Sequence, residues 1–361
     1  MEIKVMNVNQ ALSEGLHWLR QAGIREKSRN GPVLVSPEPV TTTYRFPMER
    51  VLFSPRRDAN PFFHLMEALW MLAGRNDLAW PLFFNSRFKE FSDDGVTTHG
   101  AYGYRWRRSF ATDQLQILAR ELRLRPESRR CVLQMWDAPA DLPLAVGERL
   151  GKDVPCNTHA YFLAKDGVLE TTVCCRSNDM LWGAYGSNAV HFSILAEYIA
   201  AASGLALGPY HQFSNNFHLY PGVLGITDEG MVNGVLYELA ADSEDNDHYA
   251  SDEVRCSPII NVPVDEWDLD LKRFMAKPFD LPDSVPYSDV FFPECAIPMY
   301  RAWKTRKQGK VSGAKELKPM QDNYEDWYRA CWEWIERREA RKVVLAADFG
   351  YPDPSIAEGL K

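Results

Sequence analysis

One cysteine in this sequence stands where a thiol can react. Cys156 follows Pro155 and precedes a predicted strand that begins near Thr158. A thiol just before a strand can face a pocket, where its thiolate would act as a nucleophile. The alternative is an inert cysteine in the core, which is the commoner environment for this residue. His159 lies nearby, but the sequence has no second Cys/His pair at zinc spacing, so we expect no metal.

Basic and hydroxyl residues at predicted strand ends could bind a phosphate group. Arg129 and Arg130 precede one predicted strand. Arg176 and Ser177 end another. Guanidinium groups bind phosphate oxygens in pairs, and a phosphomonoester favours several of them together. The alternative is that these arginines are solvated and pair with some of the 49 acidic residues.

A carboxylate within a strongly apolar segment is a candidate acid or base. Glu67 lies in residues 64–70, on or near the face of a predicted helix that should be buried. Burial raises the pKa of a carboxyl group, which suits it to proton transfer. A carboxylate held by a structural arginine is the alternative. Other polar residues border apolar runs, where each could equally be a cap, a turn or a satisfied core group: Asp179, Asn188, His218 and Tyr220.

Composition excludes several classes of protein. The chain of 361 residues, 45% hydrophobic and 25% charged, has the composition of a globular protein with one large or two ordinary domains. A net charge of −8 gives no overall positive field, so we expect no nucleic-acid partner. Without a long apolar run or a secretory signal, we expect no membrane contact and a cytoplasmic location. The seven cysteines include no C-x-x-C pair, which favours reduced thiols.

Helix and strand signals mix without strict alternation, which predicts an α+β fold with helices packed on a sheet. The predicted helices run from Asn9 as cap to Gly23, from Asn60 to Gly74, from residue 112 or 113 to Leu124, and over residues 188–202. The predicted strands cover residues 131–136 and a hairpin of residues 158–164 with 168–174.

The C-terminal third has weaker signals. Residues 223–319 are rich in Asp, Pro and loop signals. A last predicted helix follows, with one apolar stripe made of Trp327, Cys331, Trp334 and Ile335. This helix could be an appendage or a subunit contact.

Seven segments, taken in chain order, resemble the thymidylate synthase family, which includes the pyrimidine nucleotide hydroxymethylases. They are residues 67–72 (EALWML), 100–107 (GAYGYRWR), 128–130 (SRR), 155–156 (PC), 176–179 (RSND), 188 (N) and 218–220 (HLY). The match lies within residues 60–220, is loose over 1–50 and hardly extends beyond 222. The resemblance implies a thymidylate synthase-like catalytic domain over residues 1–320, with a mixed sheet at a homodimer interface. A helical extension over residues 321–361 would follow.

The resemblance also implies a covalent mechanism. Cys156 would add to C6 of a uracil ring, so that C5 can attack a one-carbon unit from 5,10-methylenetetrahydrofolate. Glu67 and Tyr102 would move protons at O4 and C5 through ordered water. Asp179 would bind the pterin of this co-substrate. The complete co-substrate site would comprise Asp179, Trp182, Gly183 and Phe88.

The nucleotide site follows from the same resemblance. Arg176 and Ser177 would bind the phosphate together with Arg129 and Arg130, which the partner of a homodimer would donate across the interface. Arg29, in the loop of residues 28–31, would be a fourth arginine on the phosphate. The residues that would hold the sugar 3′-hydroxyl are His218 and Tyr220.

Asn188 would read the base. A carboxamide can donate to O4 of uracil and accept from its N3–H, whereas cytosine-directed relatives place an aspartate there. This favours dUMP as the substrate. Because an amide can flip, dCMP and CMP stay open as alternatives.

Departures from the family pattern concern the control of water. Phe88 and Phe91 align where the family has tryptophans, Asn157 replaces a histidine, and Asn216 replaces an aspartate. Residues 352–361 lack an apolar closing tail. Each change loosens the exclusion of water. We therefore predict a dUMP 5-hydroxymethylase; the alternatives are a thymidylate synthase that forms dTMP and dihydrofolate, a dCMP or CMP hydroxymethylase, and a non-catalytic nucleotide-binding homologue.

Overall fold

A computed structural model describes residues 1–28, 30–146, 150–226, 228–276, 286–309 and 313–349. The strands are β1 (Glu2–Val5), β2 (Ile24–Ser28), β3 (Gly31–Val35), β4 (Val40–Tyr44), β5 (Val132–Gln134), β6 (Asn157–Lys165), β7 (Val168–Cys175), β8 (Asn178–Asp179), β9 (Ala206–Ser214) and β10 (Phe217–Leu219). The α-helices are α1 (Val8–Ala22), α2 (Pro61–Leu72), α3 (Ala79–Phe84), α4 (Tyr102–Tyr104), α5 (Gln114–Leu124), α6 (Ala138–Val146), α7 (Asn188–Ser203), α8 (Val232–Asp245), α9 (Val264–Ala276), α10 (Ile297–Lys307) and α11 (Glu325–Phe349). Irregular helices include a 3₁₀ helix at Ser86–Phe91 and a π-helical stretch at Met180–Ser187.

Within the described residues, the strands form two mixed sheets. The six-stranded sheet has the order β1-β4-β9-β7-β6-β5, and the four-stranded sheet has the order β2-β3-β10-β8. Strands β7 and β9 run parallel, while β6 and β7 form the predicted antiparallel hairpin. The turn of that hairpin has positive φ at Asp166 and Gly167, of 50° and 78°, as a tight hairpin turn requires. The mixed sheets packed with helices confirm the predicted α+β class.

The long helix α7 is buried over almost its whole length and places Asn188 at its first turn. It packs on β7 and β9 of the six-stranded sheet and against α2 and α5. Gly204 ends it with a φ of 73°, a left-handed conformation that glycine adopts without strain. Because α2 packs against α7, residues of these two helices lie close together.

Two asparagine caps were predicted, and one of them is correct. The side chain of Asn60 accepts a hydrogen bond from Phe63 N at 3.1 Å and starts α2 directly before Pro61. Asn9 does not cap α1, because Asn7 two residues earlier accepts from the first helical N–H groups. Asn9 is instead fully buried and binds the backbone of residues 51 and 53. Tertiary packing thus decides between two asparagines that look equivalent in the sequence.

Residues 223–319 include helices that the loop signals of this segment did not indicate. This segment contains α8, α9 and α10, whose inner faces are buried. The prolines that we interpreted as loop signals lie at helix starts: Pro298 is in the first turn of α10, and Pro263 directly precedes α9. A proline in the first turn costs no helical hydrogen bond, since its missing N–H would have no partner there.

The stripe predicted for the last helix lies in α11 and is buried against the rest of the chain. Trp327, Cys331, Trp334 and Ile335 are at most 3% exposed. The Trp334 ring lies 5.7 Å from the ring of Phe62 in α2 and 5.7 Å from that of Trp303 in α10. The first part of α11 therefore belongs to the core. The division of the chain at residue 320 stays a prediction.

Candidate active site

The loop that carries Cys156 is fixed by a tyrosine. Cys156 is partly buried just before β6, and its backbone N–H and that of Asn157 both donate to Tyr102 Oη at 3.0 Å. Burial, with the nearby Cys156, raises the pKa of Tyr102, so that its hydroxyl stays protonated. Because the Tyr102 oxygen already accepts two hydrogen bonds, its own proton is left to donate to a substrate or a water.

Close packing of α4 on α2 positions Tyr102. A Cβ atom added to Gly103 would lie 1.9 Å from the backbone oxygen of Met71. Only glycine permits that approach of the two helices. Gly103, which directly follows Tyr102 in the sequence motif, thus permits the packing that holds Tyr102 in place.

Arg176 ties the end of β7 to the same loop. Its backbone N–H donates to Cys156 O at 2.8 Å. Its guanidinium donates to Pro155 O at 2.8 Å and to Val154 O at 3.0 Å. The side chain is exposed and lines a pocket of about 330 Å³ on the sheet, together with Gln134, Trp136, Thr158 and His159. Arg176 therefore stabilises the loop of Cys156 and also presents a positive charge beside it.

Glu67 lies between α2 and α7, with 12% of its side chain exposed. Its Oε2 is 3.3 Å from Nε2 of His191, a buried residue of α7. Sequence reasoning considered a structural arginine and missed this histidine. The sequence signals only that His191 lies about one helical turn after Asn188; it does not reveal that Glu67 is the partner.

Sequence reasoning also missed a second carboxyl group near Cys156, the partly buried Asp153. Asp153 accepts a hydrogen bond from Gly100 N at 2.7 Å. Burial raises the pKa of Asp153 to about 6, and the negative charge of Glu67 adds to the rise. Tyr102 thus contacts the Cys156 backbone, and Asp153, three residues before Cys156, lies within the electrostatic reach of Glu67.

Three asparagine side chains form a buried chain of hydrogen bonds, here called the amide chain. Asn157 Nδ2 donates to Asn188 Oδ1 at 3.3 Å, and Asn188 Nδ2 donates to Asn178 Oδ1 at 3.1 Å. Asn178 Nδ2 continues the chain to Ser214 Oγ at 2.9 Å. Gly183 leaves room for it, since a Cβ there would lie 2.5 Å from Asn178 Oδ1. The predicted base-reading residue is thus held on both sides.

Asp179 lies at the other side of Asn178, where β8 leads into the π-helical stretch. Its Oδ1 accepts from Trp182 N at 2.6 Å, while its buried Oδ2 has no hydrogen-bond partner among the described residues. Burial raises the pKa of Asp179. Arg57 donates to Leu181 O and lies 4.9 Å from the Trp182 ring. An acceptor oxygen in need of a donor and a half-exposed aromatic ring therefore lie together, as a pterin-like ligand requires.

The residues expected on the sugar lie beside Asp179. His218 pairs with Asp179 in register across β10 and β8. His218 Nδ1 is 2.7 Å from Asn216 Oδ1, and the Tyr220 ring is 5.2 Å from the His218 ring. The neighbouring strands β8 and β10 thus bring Asp179, expected on the co-substrate, and His218, expected on the sugar, side by side.

Phe88 and Phe91 lie on the 3₁₀ helix that follows α3. The Phe88 ring lies 5.9 Å from the Phe63 ring, 6.2 Å from the Trp70 ring and 5.9 Å from the Phe91 ring. Phe91 is 47% exposed. The side chains of this helix are therefore positioned by ring contacts.

The other residues predicted to bind the phosphate differ in their exposure. Ser177 is partly buried, whereas Arg129 and Arg130 are exposed just before β5. Arg29 and residues 352–361 lie outside the described residues.

In the part of the chain that the structure describes, no cluster of three potential ligands could hold a metal ion. Over the same residues, no helix is both long enough and apolar enough to span a membrane.

The chain is similar in sequence to several known proteins. The family model for thymidylate synthase matches residues 20–263. A deoxyuridylate hydroxymethyltransferase of Pseudomonas phage M6 is 48% identical over 358 residues, which cover 96% of this chain and 98% of the relative. A protein of the same name from Bacillus phage SP01 is 32% identical over 70% of this chain and 66% of its own length. A thymidylate synthase of Symbiobacterium thermophilum is 32% identical over 45% of this chain and 61% of its own length. The chain belongs to the thymidylate synthase family.

Proposed function

We propose that this protein is a dUMP 5-hydroxymethylase, which uses methylenetetrahydrofolate and water to convert dUMP to 5-hydroxymethyl-dUMP. The observation that carries the proposal is the end-to-end match to a deoxyuridylate hydroxymethyltransferase. The arrangement of Cys156, Tyr102 and Asn188 supports it, because it joins a nucleophile, a proton donor and a base-reading amide.

Cys156 starts the reaction. Its Sγ adds to C6 of the uracil ring, and the electron pair moves toward C5 and O4. Tyr102 and Glu67 hold the protons that O4 gains and C5 loses. Glu67 lies beside His191. The S–C6 bond breaks at the end, which restores the thiol. Methylenetetrahydrofolate would supply C5 with a one-carbon unit at the oxidation level of formaldehyde. Tetrahydrofolate would leave as the bond from this carbon to the folate nitrogen breaks, and water would supply the hydroxyl oxygen.

Asn188 selects the base. Its Nδ2 keeps one hydrogen for O4, and its Oδ1 keeps a lone pair for N3–H, after the contacts within the amide chain are counted. This pattern matches uracil.

The co-substrate fits the group around Asp179. Asp179 Oδ2 is buried and would accept from a pterin N–H, and the exposed ring of Trp182 would cover one face. Gly183 and Phe88 would complete this side. Phe88 and Phe91 stand where the family has larger tryptophan side chains that exclude water. Water therefore reaches the reacting carbon.

The phosphate site needs a second copy of the chain. Arg176 and Ser177 would bind the phosphate from one protomer, and Arg129 and Arg130 of the other would complete the site. The exposure of Arg129 and Arg130 in one chain supports this arrangement. Arg29 would add a further positive charge. We propose a cytoplasmic homodimer with two such sites.

Product analysis tests the proposed function. Purified protein is incubated with dUMP and methylenetetrahydrofolate, and with dCMP or CMP in parallel. We expect 5-hydroxymethyl-dUMP by mass spectrometry and no dihydrofolate by absorbance, with Cys156→Ala as the inactive control. Formation of dTMP and dihydrofolate would identify a thymidylate synthase instead. Turnover of dCMP or CMP alone would refute the uracil assignment, and absence of any product would support a nucleotide-binding homologue.

A further inference from the structure

We infer that Asn157 determines base specificity by fixing the direction of the Asn188 amide, which selects uracil over cytosine. Asn157 would act as a positioning residue, because it contacts Asn188 and acts on the base through it. The inference rests on the proposed function and deepens it at the same site.

Burial makes the contacts of the amide chain persistent. Asn157 and Asn178 are 1% exposed and Asn188 is 8% exposed. Bulk water cannot replace their partners, so each amide group keeps its orientation through its protein contacts. The three residues come from β6, β8 and the start of α7, and the Asn157 backbone N–H is itself held by Tyr102.

The direction of the chain decides what the base meets. Uracil requires an acceptor for N3–H and a donor for O4, whereas cytosine requires a donor for N3 and an acceptor for its amino group. In the observed direction, Asn157 donates to Asn188 Oδ1, and Asn188 Nδ2 donates onward to Asn178. A turned Asn188 would present the cytosine pattern.

Asn157 also disfavours reversal of the whole chain. Its Oδ1 is buried and has no hydrogen-bond partner among the described residues. If all three amides turned over, the Asn157 amino group would become the unpaired end. A buried amide N–H without a partner is rarer than an under-satisfied carbonyl oxygen. The Ser214 hydroxyl at the other end can donate or accept, so it sets no direction.

The test uses two single variants, each of which replaces an amide by a carboxylate on one side of Asn188. In Asn157→Asp, both oxygens are acceptors, so Asn188 must turn its Nδ2 toward residue 157. We expect the ratio of kcat/KM for dUMP to that for dCMP to fall by about 100-fold, the upper range for a hydrogen bond to a charged group. Activity on dCMP should rise in absolute terms. A residue with only a structural role would lower both activities together.

The matched control is Asn178→Asp. Its carboxylate still accepts from Asn188 Nδ2, so we expect the dUMP preference to persist whatever the rate. Equal ratios in wild type, Asn157→Asp and Asn178→Asp would overturn the inference. So would an equal loss of preference in both variants.

A second variant covers failure to fold. If Asn157→Asp does not fold by circular dichroism, Asn157→Ala removes the donor, and the ratio should fall toward one without inverting; an unchanged ratio overturns the inference. Calorimetric dissociation constants for dUMP and dCMP give a readout that does not depend on turnover. A wild type that binds both nucleotides but makes no product would refute the proposed function, and the binding ratios of the variants would still decide the role of Asn157.

Discussion

Around Cys156 the site is held by hydrogen bonds between buried polar groups, whereas Phe88 and Phe91 are held by ring contacts and Trp182 lies against the Arg57 guanidinium. The amide chain and the Tyr102 contacts leave little freedom on the nucleotide side. Phe91 and Trp182, in contrast, are 47% and 48% exposed. We infer that the first region fixes which base reacts. We infer that the second region, with its aromatic side chains, leaves the reacting carbon open to water.

The largest expected effect is on the nucleotide side. Cys156→Ala should lower kcat by about 10⁴-fold or more, because removal of a nucleophile abolishes the covalent step. The adduct trapped by 5-fluoro-dUMP with methylenetetrahydrofolate, measured by mass spectrometry, should disappear. Cys174→Ala, a partly buried thiol on β7, is the matched control and should retain the adduct. Trapping without Cys156 would refute the nucleophile assignment.

A glycine substitution tests how rigidly Tyr102 is held. Gly103→Ala places a Cβ 1.9 Å from Met71 O, which must force α4 away from α2. We expect the free energy of unfolding to fall by about 3 kcal/mol, with a parallel loss of activity, by urea denaturation and product assay. Gly234→Ala in α8 is the control, since its Cβ meets nothing within 4 Å. Equal stability of the two variants would contradict the close packing.

Asp153 adds a pH dependence to the nucleotide side. Its pKa is raised to about 6 in the folded chain, above the value near 3.9 of an unfolded aspartate. The folded state therefore binds more protons between these values, and stability falls as pH rises from about 4 to about 6. The total is about 3 kcal/mol, from 1.36 kcal/mol per pKa unit. Urea denaturation of Asp153→Asn across this window should show a flatter pH profile than wild type; parallel profiles would disprove the shift.

The smallest effect is expected on the aromatic side. Phe88→Leu loses ring contacts with Phe63, Trp70 and Phe91, worth about 1 kcal/mol of stability. The loss should be equal at pH 4 and pH 7, and the ratio of dUMP to dCMP turnover should not change. A changed base preference would erase the distinction between the two regions.

Local signals in the sequence predicted much of this fold. The cap and first turn of α2 at Asn60 and Pro61, and the hairpin turn at Asp166 and Gly167, depend on neighbours within a few residues. The helices of residues 223–319 were missed, because prolines at helix starts look like loop signals.

The contacts within the site could not be predicted in the same way. Asn157 and Asn188 are 31 residues apart, and they meet only because β6 and α7 pack together. The pairing of Glu67 with His191 likewise needs α2 against α7. Family motifs indicated most site residues one by one. Asn157, Asp153 and His191 gain their roles from partners that periodicity and spacing do not reveal.

The central claim is that water, rather than hydride, completes the reaction on dUMP. The most direct test is turnover of dUMP and methylenetetrahydrofolate in water enriched in oxygen-18, with the nucleotide product weighed by mass spectrometry. We expect 5-hydroxymethyl-dUMP that carries the heavy oxygen, with tetrahydrofolate released. A product of the mass of dTMP without label, accompanied by dihydrofolate, would contradict the account.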